Sequence, residues 1–395
     1  RRTADLCAKL KAEGNEEWVR QKTGLVLDPY FSATKIAWIL DRVDPERRRA
    51  ENGDLAFGTI DTWLLWQLTG GAIHATDFTN ASRTLLFDID HLTWDTELLQ
   101  LFQVPKALLP TVHPSIYHFG QTMGLNCLPD GIPIAGIAGD QQAALFGQLC
   151  TKQGMVKNTY GTGCFLLMQT GKQRIPSQSG LLTTLACSGG TSADDVAYAL
   201  EGSVFVAGAA VQWLRDELQI IQTAVETEQI SNSISDSGGV YVVPAFTGLG
   251  APYWKAQARG AILNLTRGAG RAEIVRATLE SIAYQTVDVV QAMVADANVS
   301  LDRLRVDGGA VANNFLMQFQ ADLLDTQVER PTHIETTGLG AAYLAGLEVG
   351  LWDSVETLEK YRQVDRIFVP SMTAETRSQN LDGWRQALAR IVLEN

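Results

Sequence analysis

Asp140 sits in the stretch Ile137-Ala138-Gly139-Asp140-Gln141, and the chain soon afterwards reads Asn158-Thr159-Tyr160-Gly161-Thr162-Gly163. A tight Gly-Thr-Gly turn between the apolar pairs and runs at 155–156 and 165–168 can lay backbone N–H groups and a hydroxyl on phosphate oxygens. A carboxylate a short distance from such a turn points to phosphoryl transfer from a nucleotide to a hydroxyl. Each piece alone has a plainer reading. Gly-Thr-Gly is commonly only a hairpin loop, and an Asp ahead of a helix is commonly only its cap.

The elements around these residues give the pair its weight. Residues 132–138 form an apolar run that reads as a buried strand, and Gln141-Gln142-Ala143-Ala144-Leu145-Phe146 has helical propensity. Asp140 is therefore expected at the carboxyl end of a strand, facing a crevice. A second strand, 304–306, runs into Asp307-Gly308-Gly309-Ala310, where paired glycines would open N–H groups at a helix start. The echo of strand, Asp, Gly and helix suggests an α/β protein of two related lobes with a cleft between them.

The rest of the chain supports that division. Residues 1–22 read as one amphipathic helix, and Ser32 is placed to cap a helix carrying Ile36, Ile39, Leu40 and Val43 on one face. Residues 77–84 read as a polar loop. Strands are expected at 181–186 and 196–200, a helix at 202–218, and a turn-rich linker at 231–239. A long helix is expected at 273–294 and a small-residue helix at 338–350. The remainder reads as a polar tail with one terminal helix. Lobe boundaries fall at 1–148 and 149–395.

The 395 residues are 46% hydrophobic and 19% charged, as in a folded two-domain protein. The net charge of −12, from 32 basic and 44 acidic residues, disfavours a nucleic-acid partner or an anionic membrane surface. No apolar stretch reaches bilayer length, so no integral membrane association is expected. Five scattered cysteines and five histidines show neither a disulfide framework nor metal-ligand spacing, which suits the cytoplasm.

A Walker A loop and the protein-kinase HRD and DFG marks are absent. Gly338-Leu339-Gly340 begins a GxG, but Tyr343 stands where a dinucleotide fingerprint needs Gly or Ala, so close helix packing is the better reading. The order of the motifs resembles the actin/hexokinase/Hsp70 (ribonuclease H-like) ATPase fold, two lobes with an interlobe cleft. Within it the chain resembles the FGGY carbohydrate kinases. One family signature is similar to residues 30–41, YFSATKIAWILD, and the other to 260–280, with Asn264 where Gly is usual. LVLDPYFSATK, FGTIDTW, IAGDQQAALFGQLC, KNTYGTGCF, PAFTGLGAPYW and RVDGGAVANNFLMQFQ resemble the branch that phosphorylates glycerol, and the likeness covers nearly the whole chain.

The resemblance implies ATP and Mg²⁺, glycerol as acceptor, and a homodimer or homotetramer. It implies that Asp140 is the general base and helps orient Mg²⁺ through water. It gives Tyr30 and Gln141 to glycerol hydroxyls and Phe165 to the carbon face of glycerol. Gly161, Thr162 and Gly163 would meet ATP phosphates, while Gly208, Gln212, Gly309 and Asn313 would line the nucleotide. Closure of the cleft would exclude water. The alternatives are a sister kinase for another polyol or ketose, and a non-catalytic nucleotide-binding relative.

Two departures stand out. The family's opening DxGTTSSR loop, its Arg-Glu pair and its glycerol-holding Trp have no match, so the chain is expected to begin inside the first lobe and to be inactive alone. Residues 124–131, GLNCLPDG, lack the Gly-Lys-Gly-Gly-Thr-Arg pattern with which bacterial members bind fructose 1,6-bisphosphate. Weak or no inhibition by that metabolite is expected.

Overall fold

The computed structural model describes residues 2–392. Its backbone is a seven-stranded mixed sheet. The strand order is Val364–Phe368, Gln327–Pro331, Arg303–Asp307, Val156–Tyr160, Cys164–Gly171, Ala197–Val204 and Leu182–Ala186. Two central neighbours, Val156–Tyr160 and Arg303–Asp307, run parallel with Asn158 opposite Val306 and Thr159 opposite Asp307. Both therefore end on one side of the sheet, where an open α/β sheet leaves a crevice.

The helix Arg271–Ala297 crosses one face of this sheet. It is apolar on most of its circumference, as a helix enclosed on all sides must be, and its middle is buried from Val275 to Met293 with few breaks. Its start is fixed by Glu273, whose carboxylate accepts from the Gly270 N–H at 2.8 Å. The sheet strand Ala197–Val204 lies against it at Gly202, where a Cβ would come within 2.4 Å of Val289 Cγ1. That contact explains an error of the sequence reading. Residues 202–204 continue the strand, and the helix starts only at Gly208, spanning Gly208–Asp216.

The first part of the chain has no large sheet. Residues 2–23 hold two helices rather than one, Ala4–Ala12 and Glu16–Thr23, the break falling at Gly14-Asn15. Ser32 precedes the helix Ala33–Val43 but makes no side-chain cap. Short strand pairs join Ala75–Asp77 to Thr111–His113 and Ile116–Gln121 to Pro133–Gly136. The second pair is antiparallel and confines the apolar run before Asp140 to Pro133–Gly136, so Asp140 opens a helix instead of ending a strand. Residues 77–84 are not an exposed loop. The helix Phe78–Ala81 is capped by buried Asp77, because its polar side chains bond one another inward.

Two further expectations are corrected. The helix Glu226–Asn232 takes the first residues of the supposed linker, its Thr227 and Ser231 buried by tertiary packing. The polar tail contains the strand Val364–Phe368, an edge strand antiparallel to Gln327–Pro331. Asp365 and Arg366 give it the charged residues that edges carry to avoid further pairing. The core beneath the first part gathers Leu25, Phe31, Leu40, Leu85, Phe87 and Leu98, and Leu182, Leu185 and Tyr198 of the sheet complete it. Among the described residues no helix is long and apolar enough to cross a membrane.

Candidate active site

Asp140 is the first residue of the helix Asp140–Gly147 and is exposed. Its Oδ1 accepts from the Gln141 N–H at 2.8 Å. The turn before it is held from below. Gly139 N–H donates to Thr79 Oγ1 (2.8 Å), and Thr79 O–H donates to Asp77 Oδ2 (2.6 Å), which Ser115 also bonds (2.7 Å). Burial, with the Asp61 charge second, pushes the Asp77 carboxyl up to about 6.

The far side of the same helix is fixed by small residues. A Cβ on Gly340 would stand 1.9 Å from the Ala143 carbonyl oxygen, so the helix Thr336–Glu348 lies almost in contact with the Asp140 helix. Of the close packing expected of Gly338-Leu339-Gly340, Gly340 makes it, whereas a Cβ on Gly338 would meet nothing within 4 Å. At its end Gln148 donates through Nε2 to Asp307 Oδ2 (2.9 Å), which Thr336 O–H also bonds (2.6 Å). The helix bearing Asp140 and the strand leading to Gly308-Gly309 thus share one buried carboxylate.

Gln141 is half-buried, and its Oε1 accepts from Lys157 Nζ at 2.5 Å. Phe165, half-buried at the start of the next strand, lies opposite Thr159. Tyr30 is 68% exposed, with its ring edge-on to Phe31 at 5.3 Å between centroids. Partial desolvation raises the Tyr30 hydroxyl above its ordinary value, Arg83 opposes this, and Glu201 and Asp140 add to it. Arg83, Glu201 and Asp140 thus each lie within electrostatic reach of the Tyr30 hydroxyl. Arg83 makes a two-pronged ion pair with Glu201 (2.7 and 2.8 Å) and lies over Phe31, tying the Tyr30 loop to the sheet.

The nucleotide-side residues surround a cavity of about 370 Å³. Gly161, Thr162, Gly208, Gln212, Gly309 and Asn313 all line it, and Gly163 does not. Gly163 is buried instead, since a Cβ there would meet the Val204 carbonyl oxygen at 2.3 Å. The turn is docked on the helix Gly208–Asp216 by Ala207 and Ala209 N–H bonds to the Thr162 carbonyl (2.9 and 3.1 Å) and by Gly208 N–H to that of Gly161 (3.0 Å). Gly308 has φ +88° and would carry its Cβ 2.6 Å from the Tyr160 oxygen, so glycine alone lets the two strand ends meet.

Sequence reasoning missed several residues here. Thr227 and Glu228 form the far wall of the cavity. Asn313 donates to Thr227 Oγ1 (3.1 Å), and Glu228 accepts from the N–H and the side chain of Asn314 (2.8 and 3.0 Å). They sit in a polar stretch without helical periodicity. Lys157, Arg83 and Glu201 were missed too; for Lys157 and Glu201 a charged residue inside a strand was the available signal, and Arg83 sits in a turn that offered none.

Residues 1–147 match the N-terminal domain model of the FGGY family of carbohydrate kinases, and 156–349 match the C-terminal domain model of the same family. Glycerol kinases of Salmonella paratyphi B and Salmonella newport are 57% identical over 390 residues, 99% of this chain and 77% of theirs. Plasmodium falciparum glycerol kinase, solved with ADP, superposes with a TM-score of 0.92 at 38% identity, over 98% of this chain and 77% of that one. A ligand-bound xylulose kinase from Lactobacillus acidophilus, 21% identical with a TM-score of 0.83, shares the fold. With both domain models matched in order, the chain belongs to the FGGY family of carbohydrate kinases.

Proposed function

We propose that this protein transfers the γ-phosphoryl group of ATP to glycerol, giving sn-glycerol 3-phosphate. The observation that carries this reading is the strand Val156–Tyr160. From it Lys157 bonds Gln141 beside Asp140, and its far end opens at Gly161 and Thr162 onto the cavity. A hydroxyl acceptor and a nucleotide would thus be served by one rigid element. Fifty-seven per cent identity to glycerol kinases supports glycerol over the sister substrates.

In this reading Asp140 takes the proton from the attacking hydroxyl as its oxygen bonds the γ-phosphorus, while the bond from that phosphorus to the bridging oxygen breaks and ADP leaves. Tyr30 and Gln141 hold the hydroxyls and Phe165 covers the carbon face; a ligand lacking a hydroxyl leaves those groups unpaired, which gives selectivity. Thr162 and the N–H groups of its turn meet phosphate oxygens, with Gly161 letting the backbone approach, while Gly163 packs on the Val204 carbonyl away from the cavity. Gly208, Gln212, Gly309 and Asn313 hold the nucleoside side.

Mg²⁺ fits this site. It keeps several waters and is bound by one or two carboxylates together with substrate phosphates. Asp140 offers one exposed carboxylate, and among the described residues no group of three or more His, Cys, Asp or Glu could hold a metal unaided. Asp140 would hold the ion, directly or through water, and the ion would neutralise phosphate charge. The family resemblance also supports a cytoplasmic homodimer or homotetramer.

The test is to incubate the product of the natural gene, and the 395-residue chain beside it, with Mg-ATP and glycerol, and follow glycerol 3-phosphate by NMR. Product from the natural protein is expected. A folded protein that phosphorylates another polyol or ketose and not glycerol would overturn the substrate, and ATP binding without turnover of any polyol would favour a binding module.

A further inference from the structure

Lys157 is completely buried in the middle of the sheet, an unusual place for an ammonium. All three of its N–H hydrogens are engaged: with Gln141 Oε1 (2.5 Å), Thr159 Oγ1 (2.8 Å) and the Phe165 carbonyl oxygen (3.2 Å). Burial lowers its pKa below the ordinary lysine value, and the carboxylates of Asp307, Glu201 and Asp140, with Cys150, oppose that. Two of the three partners belong to the residues assigned above to the acceptor substrate.

An ammonium can only donate. Whatever contacts it must therefore accept, and the Gln141 carboxamide has one orientation that does so, Oε1 inward and Nε2 outward. The Gln141 Nε2 has no partner among the described residues, and the side chain is half-buried beside Asp140. The Thr159 hydroxyl and the Phe165 carbonyl anchor the ammonium so that it cannot turn away.

We propose that Lys157 is a positioning residue that fixes Gln141 as a hydrogen-bond donor to the acceptor substrate. Gln141 then donates from Nε2 to a substrate hydroxyl oxygen and leaves that hydroxyl its own hydrogen, while Asp140 accepts. This inference rests on the glycerol-kinase reading only for the identity of the substrate. The device selects a hydroxyl oxygen with a free lone pair at that position, whatever polyol brings it.

The experiment uses the natural protein and three variants. Lys157→Met removes the donor at similar length, Gln141→Leu removes the carboxamide, and Gln141→Glu keeps an acceptor for Lys157 but has no N–H to offer. Lys157→Met should raise the glycerol KM about tenfold, the worth of one substrate hydrogen bond, with the ATP KM changed less than about twofold. In a Gln141→Leu background the same change should add less than about twofold, because the two act through one contact. Gln141→Glu should raise the glycerol KM at least as much as Lys157→Met, with no loss of melting temperature.

Full coupling and that KM pattern support the proposal. An unchanged glycerol KM in a folded Lys157→Met, or an undiminished effect in the Gln141→Leu background, overturns it. Should Lys157→Met fail to fold, Gln141→Glu decides: wild-type glycerol affinity there overturns the donor assignment. If the natural protein turns over a different polyol, the substrate reading fails by itself, and the same variants measured on that polyol decide the role of Lys157.

Discussion

Gly147 and Gly340 face each other across two helices with no room for a methyl group on either. A Cβ on Gly340 would stand 3.0 Å from the Gly147 nitrogen, and one on Gly147 would stand 2.8 Å from the Gly340 nitrogen and 2.0 Å from the Thr336 oxygen. The obstacles are backbone atoms, so one helix must move to admit the new group. Gly340→Ala should therefore destabilise by about 1–3 kcal/mol, as overpacking does. It should also lower kcat by tilting the helix that begins at Asp140. Chemical denaturation and steady-state kinetics on the same preparation check both.

Asp140→Asn should remove the proton acceptor while keeping shape. A loss in kcat of about 10²- to 10⁴-fold is expected, the usual worth of a positioned base, with nucleotide binding retained by calorimetry. Activity within tenfold of wild type would mean that another group takes the proton.

Asp77 should leave a signature in stability against pH. Its value of about 6 in the folded chain lies above the ordinary 3.8. Between those values the native carboxyl keeps a proton that the unfolded one has lost. Its contribution is therefore complete below pH 3.8 and disappears as pH rises through about 6, levelling off above that. The change is on the order of 3 kcal/mol. Asp77→Asn should flatten that part of the curve, seen as a difference in denaturation midpoints between pH 4 and 7. It should also lower stability at every pH, since an amide nitrogen cannot accept: in place of Oδ2 it loses the Thr79 and Ser115 bonds, and in place of Oδ1 the two from Asn80.

Gly308 and Gly309 are neighbours with opposite expectations. Gly308→Ala forces a Cβ against Tyr160 at positive φ and should cost about 1–3 kcal/mol of stability. At Gly309 nothing lies within 4 Å, and the residue lines the cavity. Gly309→Ala should leave the melting temperature within a degree or two (roughly 0.5 kcal/mol) and raise the KM for ATP. Equal effects of the two on stability would contradict the close approach described for Gly308.

Much of the site was legible because its chemistry is local. Gly161-Thr162-Gly163 and Asp307-Gly308-Gly309 announce their turns in their own residues, and the structure puts both at the ends of neighbouring parallel strands. What was not legible depended on contacts far along the chain. Gly202 reads as a breaker until Val289 is seen pressing on it. Thr227 and Glu228 have no helical pattern of their own and are held by Asn313 and Asn314. Lys157 looks like a solvent-facing strand residue until its three acceptors are assembled around it. Asp140 itself was misplaced by a few residues, because its strand pairs in a small antiparallel ribbon rather than in the main sheet.

Leu182, Leu185 and Tyr198 belong to the main sheet but pack among the apolar residues of the first part of the chain. A ribosome making this protein delivers Leu25, Phe31, Leu85 and Leu98 long before those three partners emerge. The early residues must wait in the open with an incomplete interior, since domains ordinarily settle in the order of synthesis. Nascent chains stalled near residue 150 should accordingly need a holding chaperone, and those extended well past residue 198 should release it.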